Sequence, residues 1–384
     1  MDSNPSPEDK KEMEELEKEL GGNYKIMKIL HKRNLHGELK ERYNRTVYCA
    51  EKKDDKSKNT IKKMSKFASE VDMEKKMSKV LKDVSTVNLN KTSFIELNNN
   101  VFFFSNYYEG GNLKNYFSEK YNNNNVLEIK EIIHIMKNVI IGLATLFDKE
   151  YIHRDIKPEN LVIKYFDQEN SNKKNILKSN IIIIDFGSCK MKKSQNDELK
   201  GTTPYIHPKY YKNSKKKSKD NEILNEQLDL WSLGVLCLKL CGGRISKENE
   251  EEVKVIEEKY YIPLDDTKIE LVRFIDSLLQ ENPENQIQFD ALMKDSFIND
   301  DPESFSLFSV DYAKKTEIID GKLYIELNTK NKGELNYDYN KLLGITKEDF
   351  HKYINECFID LNQNFLFTQP VLIPIIGINE KQEK

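Results

Sequence analysis

Glycine is scarce in this sequence, with 15 among 384 residues, and no Gly-x-Gly-x-x-Gly stretch occurs in it. Charge of one sign is also missing: 61 Lys and Arg stand against 64 Asp and Glu, for a net charge of −3. That balance argues against a chain-wide field for nucleic acid or membrane, although local basic runs remain. No apolar run reaches the length of a membrane span. The five cysteines, Cys49, Cys189, Cys237, Cys241 and Cys357, are too scattered for a disulfide framework or a zinc site. Cys237 and Cys241 fall four apart in an apolar helical run and read as packed thiols. The N-terminus is polar and acidic. The expectation is a reducing, cytoplasmic setting, with nuclear access open.

What is present begins with a short helix over residues 6–22. Ser6 can cap it, Pro7 fits its first turn, and Gly21 and Gly22 end it. Met13, Leu16 and Leu20 form a narrow apolar stripe, suited either to docking on a neighbouring surface or to a solvated tail. Short apolar runs follow, "TVYCA", "TIKKM", "TSFIEL" and "VFFFSNYY", which read as strands around one helical stretch, "SEVDMEKKMSKVL". A long amphipathic helix, "IKEIIHIMKNVIIGLATLFDKE", leads into "YIHRDIKPENLVI". In that stretch six charged or amide side chains sit between apolar flanks, as in a loop held rigid for chemistry. Two strand-like runs, Leu161–Phe166 and Ile181–Asp185, bracket an Asn/Lys-rich segment, Asp167–Lys178, that reads as a solvated insertion. From Trp231 to about Ile298 the pattern is mainly helical.

"HRDIKPEN", followed by "DFGS" twenty-five residues after its Asn and then by "DLWSLG" at Asp229–Gly234, resembles the eukaryotic protein kinase family over about residues 24–298. Three motifs in order make a highly specific signal. The resemblance implies an α+β, bilobal protein-kinase-like fold: a small β-rich N-lobe (23–107), a larger helical C-lobe (108–298), an N-terminal helical extension (1–22) and a small α/β C-terminal extension (299–384). It implies transfer of the γ-phosphoryl group of ATP, with Mg2+, to a protein substrate. Asp155 would accept or orient the substrate hydroxyl, Lys157 would lie against the transferring group, and Asn160 and Asp185 would hold magnesium through hard oxygens. Lys62, or Lys63 beside it, would anchor phosphate and pair with Glu74, with Glu70 as the alternative acid. The fourth strand is expected to start thirteen residues after Glu74, at "VNL". Val47 and Val162 would line the nucleotide site. Asn106 and Tyr108 would present backbone groups to adenine beside a small Ser105, and Asn112 would face ribose. His153 and Phe186 would pack together, and Asp229 would tie down the catalytic-loop backbone. Lys157, two residues after Asp155, matches the serine/threonine type.

The family pattern breaks in two places. One alignment puts Lys40, Arg42 and Arg45 where kinases have three glycines; another keeps only Gly37. Without glycine, backbone N–H groups lose close access to phosphate, and basic side chains can supply charge-assisted contacts instead. Downstream, His207-Pro208-Lys209 replaces Ala-Pro-Glu, and Gln286 replaces the buried Arg that this Glu pairs with. Changing both partners avoids a lone buried charge. Glu198 sits where activation-loop phosphorylation is expected, so Arg154 could meet a carboxylate there; Ser194 and Thr203 are further candidate phosphosites, and Thr202 matches the Thr that packs near Asp155. "NSKKKSKD" at Asn213–Asp220 is a basic insertion, and with "YIHP" it resembles the inhibitor-of-kappa-B-kinase-related branch. After residue 300, a hairpin signal at Asp320-Gly321, a helix and a strand suggest a β-grasp-like unit open to partner binding. The reading is a protein serine/threonine kinase, with a pseudokinase scaffold and a small-molecule kinase as alternatives.

Overall fold

The computed structural model describes residues 5–32, 45–122, 127–166, 175–194, 200–210, 225–249, 256–263, 268–302, 316–319 and 322–326. The chain divides into two compact units, Met1–Leu236 and Cys237–Lys384.

The first unit opens with α1 (Pro7–Glu19), whose N-cap Ser6 accepts the Asp9 N–H at 3.1 Å. Gly21 and Gly22, at φ +65° and +71°, then turn the chain in a region that only glycine enters freely. Strands β1 (Tyr24–Lys32), β2 (Arg45–Lys52), β3 (Lys58–Ser65), β4 (Ser93–Leu97) and β5 (Asn100–Asn106) form an antiparallel sheet in the order β1-β2-β3-β5-β4. Helix α2 (Val71–Val80) follows β3.

Strand alternation gives the sheet two faces. Tyr48, Ala50, Ile61 and Phe102 point to one face, where they form a core with Leu16 and Leu20 of the α1 segment. Leu16 is fully buried, worth about 2 kcal/mol in apolar transfer. Polar contacts fix the helix's seat: the buried Tyr48 donates to Glu12 Oε1 at 2.5 Å, Lys63 pairs with Glu19 at 2.7 Å, and Glu17 accepts the Ile26 N–H at 2.7 Å. The apolar stripe is therefore docked rather than solvated. Val47, Lys62 and Phe103 stand opposite one another across three strands and share the other face.

Two departures from the sequence reading occur here. The fourth strand begins at Ser93, not at "VNL"; Leu89 instead makes a parallel bridge to Ile183. The buried Asn88 explains the difference, because its amide donates to Asn138 Oδ1 (2.7 Å) and the Ile181 carbonyl (3.0 Å), which binds this segment to a different partner. Asn138 lies on α4 (Ile129–Asp148), which follows a helix not foreseen, α3 (Leu113–Asn122). Gly142 lets α4 approach the strand that ends at Ile183, since a Cβ there would sit 2.7 Å from Ile183 Cδ1.

Beyond α4 come β6 (Tyr151–Ile152), β7 (Leu161–Tyr165), β8 (Ser179–Ile183) and β9 (Lys190–Met191), with β7 against β8 and β6 against β9. The end of the supposed insertion is not solvated: Ile176–Lys178 is a 3-10 turn, and Ile176 is fully buried. Two adjacent apolar residues, Ile176 and Leu177, among polar ones gave no periodic signal. Helix α5 (Gln227–Leu240) carries the fully buried Trp231.

In the second unit, β10 (Arg244–Asn249) and β11 (Ile256–Pro263) interrupt a region that the sequence pattern reads as helical. Their charge-rich sequences lack apolar alternation, so backbone pairing rather than patterning defines them. Strands β12 (Thr316–Ile319) and β13 (Lys322–Glu326) make the hairpin flanking Asp320-Gly321, and β13 pairs with β11 in a sheet ordered β10-β11-β13-β12. The hairpin thus completes a sheet begun within residues 237–298. The helix and final strand of the suggested β-grasp unit lie outside the described residues. Helix α6 (Ile269–Leu278) packs its Phe274 on Phe297 at 4.8 Å between ring centres. Gln286 is buried and donates to the Leu278 carbonyl at 2.7 Å, a neutral bond needing no acidic partner. Among the described residues no helix is long and apolar enough to cross a membrane.

Candidate active site

The site is built from two loops and one sheet face. The loop after β6 is pinned by Asp229, whose buried carboxylate accepts the backbone N–H of His153 and of Arg154, each at 2.7 Å. Those bonds hold Arg154 at φ +66°, a conformation costly for a side chain with a Cβ. His153 also contacts the Ile184 carbonyl through Nε2 at 3.1 Å and meets Phe186 edge-on at 5.7 Å. The Ile184 N–H donates to the Asn160 carbonyl at 3.0 Å. Two segments far apart in sequence are thereby clamped together.

Asp155, Lys157, Asn160 and Thr202 make one hydrogen-bonded cluster. Asn160 Nδ2 donates to Asp155 Oδ2 and to the Asp155 carbonyl, both at 2.8 Å. Thr202 Oγ1 donates to Asp155 Oδ1 at 2.8 Å. Lys157 Nζ lies 2.7 Å from Asp155 Oδ2 and 2.6 Å from Thr202 Oγ1. Because the Asn160 amide nitrogen is engaged, its remaining polar atom is a hard carbonyl oxygen.

A second cluster surrounds Asp185, which sits at φ +68° after β8. Lys62 Nζ bridges Glu74 Oε1 and Asp185 Oδ1, the latter at 2.8 Å. Arg45 Nη1 reaches the other oxygen, Oδ2, also at 2.8 Å. Gly187 lets this loop lie against α2, since a Cβ there would be 2.9 Å from Glu70 Cβ. Burial alone would raise the Asp185 carboxyl, but Lys62 and Arg45 outweigh it and hold the group well below the ordinary range. Burial pushes the Glu74 carboxyl up, with Lys62 pulling against it and the Asp185 charge adding to the rise. Of the two candidate lysines, Lys62 faces this cluster, whereas Lys63 points to the α1 face and Glu19. Glu70 is the residue preceding α2 rather than the partner of Lys62.

Val47 pairs with Lys62 across β2 and β3, and Asn112 bridges to Val162, which brings those two candidates side by side. The Asn112 side chain also caps α3, accepting the Asn115 N–H at 2.9 Å. Asn106 ends β5, where its carbonyl accepts from Thr60 Oγ1 at 3.4 Å, and the Tyr108 carbonyl accepts the Gly111 N–H at 3.2 Å. Ser105 stands opposite Thr60, so small side chains border this part of the sheet. His207 is buried against Trp231, 5.0 Å between ring centres. Arg154 Nε donates to the Ser188 carbonyl at 2.7 Å, and Ser194 Oγ donates to the Met191 carbonyl at 2.6 Å. Gly37, Lys40, Arg42, Glu198 and the basic insertion lie outside the described residues.

Magnesium is usually held by one or two carboxylates or amide oxygens together with substrate phosphate, so Asn160 and Asp185 suffice as a donor set. Among the described residues no cluster of three or more His, Cys, Asp or Glu could hold a metal by itself. The Arg45 contact on Asp185 Oδ2 was not legible in the sequence. Only the position of Arg45 at a glycine site hinted at a cation there.

Two lysines and three carboxylates, gathered from a β-sheet face, helix α2 and two clamped loops, define the class as a chain with a protein-kinase-type site. Residues 39–298 match the protein kinase domain model, and the chain belongs to that family. It is similar to a probable serine/threonine-protein kinase of Dictyostelium discoideum, 27% identical over 299 residues, covering 75% of this chain and 41% of the relative. The probable serine/threonine-protein kinase nek1 of the same organism is 28% identical over 297 residues, covering 73% and 57%. The chain thus spans about half the length of these relatives. The structure of the Cydia pomonella granulovirus kinase PK-1 superposes with a TM-score of 0.55 at 17% identity, covering 75% of this chain and 99% of that one. These likenesses set the α+β protein-kinase fold and the family, not a branch within it.

Proposed function

We propose that the chain is an ATP- and magnesium-dependent kinase of serine or threonine in protein substrates. The observation that carries this reading is Lys62 bridging Glu74 and Asp185, since that pairing orients the lysine toward nucleotide phosphates. Asp155, paired with Lys157 at 2.7 Å, accepts or orients the substrate hydroxyl proton through whichever oxygen the substrate reaches. Lys157 and Lys62 offset negative charge on the phosphoryl oxygens. Asn160 and Asp185 would hold magnesium, which supplies further charge neutralisation when bound. Specificity for Ser or Thr is supported by Lys157 at its place after Asp155 and by the serine/threonine-kinase relatives.

A second reading, a nucleotide-binding scaffold with little turnover, draws support from one contact: Arg45 already holds Asp185 Oδ2. Phosphate transfer from Mg-ATP to a generic protein substrate separates the two. The kinase reading expects transfer that falls by about 10²–10⁴-fold in Asp155→Ala. Nucleotide binding without transfer, in wild type and Asp155→Ala alike, would leave the scaffold.

A further inference from the structure

Arg45 is the residue at the site that the kinase pattern does not call for. It opens β2, at a position that one of the two alignments gives to a glycine, and its Nη1 lies 2.8 Å from Asp185 Oδ2. Its Nε–H is buried and has no partner among the described residues. A guanidinium offers donors in a planar fork matched to a carboxylate or a phosphate. Here one arm is used and an adjacent donor is idle. An idle buried donor is unfavourable unless some acceptor arrives.

The charge pattern says what kind of acceptor fits. Within the hydrogen-bonded set, Arg45 and Lys62 balance Glu74 and Asp185. Glu70 lies close enough to add its field to that on Arg45. Without Arg45 the set would carry net negative charge and repel a polyphosphate, so that a divalent cation would be indispensable for binding. With Arg45 the pocket is neutral before any metal enters, and the guanidinium can turn its fork from carboxylate to phosphate.

Building on the kinase reading, we propose that Arg45 is a nucleotide-phosphate-binding residue, a protein-borne cation that lets this chain hold ATP without a divalent metal. Magnesium is then needed for phosphoryl transfer rather than for nucleotide capture.

The test measures ATP affinity by calorimetry in magnesium and in EDTA, for wild type, Arg45→Gln and Arg45→Lys. Wild type is expected to bind in EDTA within about tenfold of its affinity in magnesium. Arg45→Gln, which leaves a polar amide and loses the charge, should weaken binding in EDTA about 10–100-fold, the scale of a charge-assisted bond, and by a much smaller factor in magnesium. Arg45→Lys, with charge but no fork, should fall between. Equal weakening in both media would overturn the proposal, because Arg45 would then be supporting the fold. If Arg45→Gln does not fold, wild type decides alone: binding in magnesium but not in EDTA removes the proposal and leaves the kinase reading intact. Binding in neither medium removes both.

Discussion

Asp276 is a carboxyl on α6 that burial pushes up to about 8, with no compensating charge beside it among the described residues. An acid whose folded value lies above its ordinary 3.8 is favoured in its protonated form by folding. Its contribution to stability is therefore full at low pH and declines as pH rises from about 4 to about 8, where the folded carboxyl ionises. Asp276→Asn removes the titration, so the variant should gain more in melting temperature at pH 8 than at pH 5. A gain that is the same at both values would show that the carboxyl is not neutral in the fold. No sequence pattern reveals this residue, because an isolated Asp in a helix reads as solvated. Asp155 and Asn160 in one rigid loop and Asp185 in a second, by contrast, were legible, since each loop carries its own motif at fixed spacing.

Helix α1 is the element whose role the sequence left most open. An amphipathic helix with a stripe as narrow as Met13, Leu16 and Leu20 has little apolar area with which to commit itself. What commits it is the sheet: Tyr48, Ile26, Ala50, Ile61 and Phe102 provide a matching surface, and Glu12, Glu17 and Glu19 each find a partner on it. Leu16→Ala is expected to lower unfolding free energy in urea by about 3 kcal/mol, the usual cost of a cavity at a fully buried leucine. A loss below about 0.5 kcal/mol, the ordinary scale at an exposed position, would mean that α1 detaches in solution. Because α1 covers the sheet face opposite Lys62, its loss should lower stability before it lowers phosphate transfer.

At the scale of the molecule, the C-terminal hairpin is built into a sheet with β10 and β11 rather than standing alone. A chain ending at residue 302 would leave β11 with an unpaired edge, and unpaired edges recruit other strands. Size-exclusion chromatography with light scattering should show such a truncation self-associating more than the full chain. An unchanged mass distribution would show that the hairpin is dispensable.

The sequence by itself determined the family and the two loops of the candidate site, because local spacing sets which side chains one short loop can present. It also determined most strands of the first sheet, through apolar alternation. Tertiary structure decided whatever depends on a partner distant in the chain. Arg45 meets Asp185, Asn88 leaves the expected strand for Asn138, and β11 takes β13 as its neighbour. The reason is physical: a hydrogen bond or ion pair between remote residues leaves no periodic trace along the chain, and only the folded backbone fixes which groups lie within 3 Å of each other.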